Sequence, residues 1–407
     1  LAPDREGHLA DVVLGFDTAG EYLHGSGCLG ATVGRNANRV GGSCLPVGDR
    51  RVCLTPNEGP NNLHSGPEYW FHRMWMVDRL TESAITLALE TPEGDQGFPG
   101  MGRVEVTYAL AEGRLRITYQ GVFDRDTVFN MTNHSYFNLA GEERPEAAME
   151  QTLQLRAERF TEVDAASIPT GRLLPVAGTA LDFRRPKALK LDQEDHLLAP
   201  QGGIDHNFVL DPGEGPAARL VCEETGRVLT VYTDCPGVQV YTANFLEARG
   251  KGGRVYGKGS GVCLETQFYP DAIQSSRVAQ PPGKGRGAEG IGDGVCLWDL
   301  LRQAGVREGL CCDRKTVGQD RLRRPYFRLP PEAVGCGILG TPAAERSGTC
   351  YGSGNSGLTL RPYEFAWGSG NQPASSAGAP GRPPPSVQKG KVVRFAFRFA
   401  AVRKEMV

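Results

Sequence analysis

Two adjacent runs of alternating residues, joined by a short turn, constrain the fold of this chain more than any other feature. Residues Arg103–Leu110 and Arg114–Tyr119 both alternate with a period of two, and the turn between them ends in Gly113, which tolerates positive φ. Long segments with a helical period are absent, so the sequence predicts a mainly β protein, an antiparallel sandwich. Further β-rich runs are Ala84–Glu90, Thr152–Leu155, Val228–Thr233, Val238–Phe245 and Val262–Phe268.

Charge and composition divide the chain into two unlike parts. Residues 1–274 carry 25 Lys and Arg against 37 Asp and Glu, whereas residues 275–407 carry 20 against 10. The second part is rich in Gly and Pro, as in Gln280–Gly287, and such segments bury too little apolar surface to offset their ordering entropy. We therefore predict one β-sandwich domain over 1–274 and a largely irregular tail over 275–407. Within the tail, Leu297–Ala304 permits a short helix and Val393–Ala400 a late strand.

The overall charge and hydropathy of the chain argue against nucleic acid or a membrane as its binding partner. A formal net charge of −2 and a pI near 6.5 give no electrostatic basis for binding nucleic acid or a membrane surface. No stretch approaches the roughly 18 apolar residues of a membrane span, and Leu1–Ala10 lacks an apolar signal core, so we expect a cytoplasmic protein. The 11 cysteines show no regular spacing, which favours reduced thiols. A small, weakly charged ligand fits best.

Two polar side chains occupy positions where a β core should be apolar. In Asn133–Leu139, a period of two gives His134 and Tyr136 the same face, and in Val262–Phe268 it places Glu265 opposite apolar neighbours. An imidazole and a carboxylate can remove one proton and donate another near neutral pH, so His134 and Glu265 are a candidate acid/base pair. Taken singly, either is equally compatible with an ordinary strand residue.

Four further clusters supply side chains suited to binding hydroxyl groups. Amide, carboxylate and guanidinium groups make planar hydrogen bonds of fixed geometry to the adjacent hydroxyls of a sugar. Taken singly, Arg39 is compatible with a surface ion pair, Asp205 with a turn cap and His64 with a turn hydrogen bond. The clusters are Gly34–Val40, Asn62–Gly66, Asp205–Phe208 and Val238–Tyr241.

In this order, the clusters resemble the galactose mutarotase (aldose 1-epimerase) family. The shared motifs extend from about Asp11 to Gln274: GRNANR, NNLHSG, GDQGFPG, NHSYFNL, IPTG, DHNF, GVQVYTANF and SGVCLETQ. The family's first strands have no counterpart before Asp11, and we find no resemblance from Ser275 onward. A retained intron or a shifted exon boundary would explain both differences. Gly259 stands where the family usually has a histidine.

The resemblance implies a single β-supersandwich domain and an isomerase that interconverts the α and β anomers of aldohexoses such as galactose and glucose. Glu265 would be the general base at the anomeric hydroxyl, and His134 the acid that protonates the ring oxygen. The family needs neither a cofactor nor a metal, its partner is the small sugar, and the oligomeric state is left open. The residues that would hold the sugar hydroxyls are Asn38, Arg39, His64, Asp205 and Gln239.

Three other functions remain compatible with the sequence. The first is an inactive or unstable sugar-binding relative, because missing edge strands would expose unpaired backbone. The second is a hexose 6-phosphate epimerase, which extra arginines around the pocket would indicate. The third is a glycosidase, which requires two opposed carboxylic acids rather than a His/Glu pair.

Overall fold

The computed structural model describes residues 1–274 and the backbone of one later strand, and this part is dominated by two antiparallel sheets. The large sheet has nine strands, in spatial order Lys187–Ala188, Thr152–Leu155, Ala218–Cys222, Arg227–Thr233, Gly292–Arg302, Arg114–Phe123, Gly102–Ala111, Ala84–Thr91 and Met76–Leu80. The second sheet, which we call the site sheet, has six: Tyr136–Phe137, Val262–Gln267, Gly237–Tyr241, Asp205–Val209, Arg159–Val163 and Pro169–Pro175. The predicted mainly β, antiparallel sandwich is confirmed.

Short ribbons and turns complete residues 1–274. The two-stranded ribbons are Ala2–Pro3 with Leu9–Ala10, Ala31–Val33 with Thr132–His134, Arg39–Val40 with Asn62–Leu63, Cys44–Val47 with Arg50–Cys53, and Ala248–Arg249 with Val255–Tyr256. The α-helix is Ala19–His24, and the 3₁₀ turns are Gly41–Ser43, Trp70–His72, Asp95–Gly97, Pro145–Glu150, Ala199–Gln201, Lys251–Gly253 and Ala272–Gln274. Within the described residues, no helix has the length and apolar character needed to cross a membrane.

The hairpin expected from the alternating runs forms in the large sheet. Gly102–Ala111 pairs with Arg114–Phe123 across a two-residue turn in which Glu112 and Gly113 have φ values of 52° and 77°. Two successive positive φ values give the turn a twist that matches the flanking strands. Alternate apolar side chains of both strands, such as Val106, are buried in the core.

The other predicted strands are present, with ends shifted by a few residues. The largest difference is at Val238–Phe245, where the observed strand is Gly237–Tyr241. Ala243 has a φ of 55°, which is incompatible with strand geometry, so the chain leaves the sheet after Tyr241.

The predicted short helix at Leu297–Ala304 is wrong. The backbone of Gly292–Arg302 is an 11-residue strand between Arg227–Thr233 and Arg114–Phe123, at the centre of the large sheet and inside the segment expected to be irregular. Each flanking strand has a row of backbone donors and acceptors that requires a partner, and this pairing outweighs the local helical spacing of leucines. The predicted strand at Val393–Ala400 lies outside the described residues.

The expectation of reduced thiols is also wrong at one pair. Cys44 and Cys53 form a disulfide, because they are directly opposed register partners in the ribbon that joins Cys44–Val47 to Arg50–Cys53. A sequence separation of 9 residues carries no spacing signal, whereas the hairpin brings the two Cα atoms to 4.1 Å. The free cysteines among the described residues are Cys28, Cys222, Cys235 and Cys263.

Candidate active site

Three polar side chains share one face of the site sheet. Gln239 is the register partner of both Asn207 and Glu265, and Asp205, two residues from Asn207, therefore lies on the same face. The Gln239 side-chain amide donates to Asp205 Oδ1 at 2.6 Å. Glu265 is 2% exposed and Gln239 4%. The strand pairing thus brings together a carboxylate, an amide and a second carboxylate from motifs far apart in sequence.

His134 approaches Glu265 from a separate ribbon. The strand Thr132–His134 pairs with Ala31–Val33, after which the chain joins the site sheet at Tyr136. His134 Nε2 lies 3.7 Å from Glu265 Oε1, which is beyond direct hydrogen-bond distance. The two side chains therefore face each other without a direct hydrogen bond, so each can act on a different oxygen of a substrate.

Asn38 and His64 flank the ribbon of Arg39–Val40 with Asn62–Leu63 and hold each other in place. The Asn38 N–H donates to His64 Nδ1 at 3.1 Å, and the His64 N–H donates to the Asn38 carbonyl at 3.0 Å. Both residues have positive φ, 63° and 55°, a conformation that costs free energy in a non-glycine residue. The first of these bonds fixes the His64 tautomer, because Nδ1 accepts a hydrogen bond through its lone pair and the neutral ring must therefore carry its proton on Nε2.

Arg39 links this ribbon to the site sheet. Its Nε and Nη2 donate to the two carboxylate oxygens of Glu58 at 2.7 and 2.8 Å, and its Nη1 lies 3.7 Å from Asp205 Oδ2. The structure thus brings together all seven residues predicted from the sequence, in a cluster that is largely buried.

Burial moves the charges of the acid/base candidates toward neutrality. It lowers the pKa of His134 to about 4. Burial, reinforced by the Asp205 carboxylate and opposed by Arg39, raises the pKa of Glu265 well above its usual range. The pKa of His64 is lowered by burial, by His134 and by Arg39. These directions favour a His134/Glu265 pair that holds one proton near neutral pH.

His64, His134 and Glu265 are close enough to be considered as metal ligands, since one potential ligand atom of each lies within 4.8 Å of the others. The hydrogen bonding of His64 argues against this use. The Nδ1 lone pair of His64 accepts a hydrogen bond from the Asn38 backbone N–H, and Nε2 carries the ring proton. The neutral ring therefore has no lone pair free for a metal. His64 is built to donate to an oxygen.

Sequence reasoning missed two residues of the site. Glu58 forms the fork with Arg39, and the sequence signal available was only its position just before the NNLHSG motif. Cys263 Sγ lies 3.4 Å from His134 Nδ1, and the period of two that places Cys263 on the face of Glu265 could have identified it.

The comparisons with known proteins agree with this geometry. A family model described as aldose 1-epimerase matches residues 1–290, past the boundary at Gln274 drawn from composition. The chain belongs to the aldose 1-epimerase family. Its enzyme class is therefore that of an isomerase, as the sequence resemblance implied.

Individual members of the aldose 1-epimerase family are similar to this chain over most of their length. It is 42% identical to the galactose mutarotase of Sus scrofa over 275 residues, which are 66% of this chain and 79% of that protein. It is 41% identical to the galactose mutarotase of Homo sapiens over 278 residues, 67% of this chain and 80% of the relative. The aldose 1-epimerase of Escherichia coli K12 is 35% identical over 287 residues, covering 69% and 82%.

Solved structures show the same fold. The crystal structure of the GalM/aldose epimerase homologue from C. elegans has a TM-score of 0.68 at 30% identity and covers 74% of this chain and 90% of that chain. The galactose 1-epimerase from Lactobacillus acidophilus has a TM-score of 0.62 at 28% identity, covering 72% and 86%.

Proposed function

We propose that the chain interconverts the α and β anomers of aldohexoses such as galactose and glucose, with Glu265 as general base and His134 as general acid. The observation that carries this proposal is the separation of 3.7 Å between His134 Nε2 and Glu265 Oε1 in a buried cluster of hydroxyl-binding groups. Ring opening of a cyclic sugar requires a base at the anomeric hydroxyl and an acid at the ring oxygen, two atoms bonded to the same carbon. Two opposed groups at this distance fit that demand.

The reaction balances with these two residues alone. Glu265 takes the proton of the anomeric hydroxyl, the O1–C1 bond becomes a carbonyl, the C1–O5 bond breaks, and His134 delivers a proton to O5. Rotation about C1–C2 then presents the other face of the aldehyde. Reclosure returns each proton to its donor: O5 attacks C1 while its hydroxyl proton goes back to His134, and O1 recovers the proton held by Glu265.

The protonation state of the pair suits this cycle. The carboxylate–imidazolium form that starts the reaction has the same number of protons as the carboxyl–imidazole form that burial favours. The two forms differ only by movement of one proton between Glu265 and His134. A pair that holds one proton over a range of pH gives a bell-shaped pH profile.

Unsatisfied polar atoms around the pair support a hydroxylated substrate. Among the residues that the structure describes, Glu265 Oε2 and Gln239 Oε1 have no hydrogen-bond partner although both oxygens are buried. Leaving such acceptors unpaired costs about 1–3 kcal/mol each. Hydroxyl donors of a bound sugar would satisfy both. Arg39, Asp205 and His64 Nε2–H lie near the pair as further partners, whereas Asn38 Oδ1 accepts the Arg39 N–H at 2.9 Å.

The alternative functions fit the geometry less well. Arg39 acts on Glu265 but is already engaged by Glu58 and Asp205, so it is poorly placed to neutralise a sugar phosphate. Asp205, the second acid a glycosidase would need, is held by Gln239 on the same sheet face as Glu265 rather than opposed to it. The complete cluster also argues against a dead sugar-binding relative. Location in the cytoplasm remains a prediction.

Polarimetry of freshly dissolved α-D-galactose and α-D-glucose tests the proposal. We expect the chain to accelerate the approach to the equilibrium rotation in proportion to its concentration. A folded chain, verified by circular dichroism, that leaves the rotation curve at the buffer rate would refute the proposed function.

A further inference from the structure

Glu58 is a charged residue of the site that no step of the reaction uses. Its carboxylate occupies two of the three guanidinium nitrogens of Arg39, at 2.7 and 2.8 Å, and so turns the third, Nη1, toward Asp205 Oδ2 at 3.7 Å. A bidentate fork of this kind fixes the plane of a guanidinium as well as its position. We propose that Glu58 is a positioning residue that aims Arg39 at the sugar, an inference that rests on the proposed function.

The backbone around Glu58 is built to hold that carboxylate still. The Glu58 N–H donates to the Asn61 carbonyl at 3.1 Å, and the Asn61 N–H donates to the Glu58 carbonyl at 3.0 Å. The Asn57 side chain accepts from the Leu63 N–H at 2.7 Å and donates to the Leu63 carbonyl at 2.9 Å. One short, self-bonded segment therefore carries Glu58 and leads directly into His64. The fork and the His64 donor are set by the same turn.

The charge of Glu58 matters as much as its geometry. Burial opposes the charge of Arg39, but the Glu58 hydrogen bonds and Asp205 raise the pKa of its guanidinium above the ordinary value. Without the negative charge of Glu58, the positive charge of Arg39 would act on Asp205 and Glu265 undiminished. It would lower the pKa of Glu265 and so weaken it as a base. The titratable or charged groups that face Glu265 are His134, His64, Asp205, Arg39, Cys28, Cys263, Tyr136 and Tyr241.

The test compares Glu58→Gln with Glu224→Gln, because Glu224 also binds an arginine through both carboxylate oxygens, Arg144 at 2.6 and 3.0 Å, outside the cluster. For Glu58→Gln we expect KM for galactose to rise about tenfold, with kcat within about threefold of the parent, because a charge-assisted positioning bond is lost. The acid limb of the kcat/KM profile should move to lower pH by about half a unit, as expected for removing one nearby negative charge. Glu224→Gln should have the same KM, kcat and acid limb as the parent.

Two more variants separate positioning from general damage. Arg39→Ala removes a positive charge near Glu265, so its acid limb should move to higher pH, opposite to Glu58→Gln. Glu58→Asp keeps the charge but shortens the fork, so KM should rise while the acid limb stays at the parent position. A structural defect would not produce shifts of opposite sign.

The outcomes are distinguishable from failure of the proposed function. An inactive but folded parent chain refutes the proposed function itself. An active parent with a Glu58→Gln variant of unchanged KM and pH profile refutes the role of Glu58. Equal loss in Glu58→Gln and Glu224→Gln would do the same, because it would show a general effect of breaking an ion pair. Galactose affinity measured by titration calorimetry gives the readout independently of turnover and should weaken about tenfold in Glu58→Gln.

Discussion

Replacing Glu265 by Gln should sharply lower kcat while making the folded chain more stable at neutral and alkaline pH. Glu265 is 2% exposed, and its Oε2 has no hydrogen-bond partner within the described part of the chain. Its folded-state pKa is raised above the ordinary 4.5 by burial and by Asp205. The folded chain therefore retains a proton that the unfolded chain releases. The stability from this proton is complete below about pH 4.5 and is lost as pH rises through the folded pKa. Glutamine has the same shape and no such loss.

The size of the effect follows from the cost of the buried acid. A buried acid without full hydrogen bonding costs at least about 1 kcal/mol more than a neutral amide at pH 8, which corresponds to a rise in Tm of about 2–4 °C for a domain of this size. The difference should shrink at pH 5. Thermal unfolding followed by circular dichroism measures it, and polarimetry should show kcat reduced by about 10²-fold or more. A variant that retains kcat, or that melts below the parent at both pH values, would contradict the assignment.

Three further predictions follow from the same geometry. His134→Asn should lower kcat by about 10²-fold or more in the polarimetric assay with a smaller effect on KM, whereas His206→Asn, which removes another buried imidazole with a pKa of about 4, should not affect kcat in protein that remains folded. Arg39→Ala should act mainly on KM, because Arg39 holds hydroxyls and transfers no proton; a loss confined to kcat would contradict this. A chain ending at Gln274 should melt earlier than one ending at Arg314 in the same thermal scan, because only the longer one retains the central strand Gly292–Arg302, and equal melting would refute that reasoning.

The fold class could be predicted from the sequence because its determinants are local. The alternation of Arg103–Leu110 and Arg114–Tyr119 and the intervening glycine specify a hairpin without reference to the rest of the chain. The strand at Gly292–Arg302 could not be predicted in this way, since its structure depends on two distant strands that need a partner. The Cys44–Cys53 disulfide could not be predicted for a related reason, because the register that opposes the two cysteines is a property of the folded ribbon.

In the site, too, the residues could be predicted from local motifs, whereas the contacts between them could not. Each predicted residue belongs to a motif of several residues, and all of them meet in the structure. No pattern in the sequence indicated that Glu58 would hydrogen-bond Arg39 or that the Asn38 amide would fix the His64 tautomer. Those relations depend on positive φ values and turn geometry, which residue types alone do not specify.

Oxygen labelling distinguishes opening and reclosure of the sugar ring by His134 and Glu265 from displacement of O1 at C1. Ring opening keeps O1 bonded to C1 throughout, whereas displacement at C1 by water, the chemistry of a glycosidase, replaces O1 with solvent oxygen. We expect the chain, in ¹⁸O-labelled water, to accelerate interconversion of the galactose anomers, followed by NMR, without accelerating incorporation of ¹⁸O at C1 above the rate in buffer. Gain of one labelled oxygen for each interconversion would refute ring opening by His134 and Glu265.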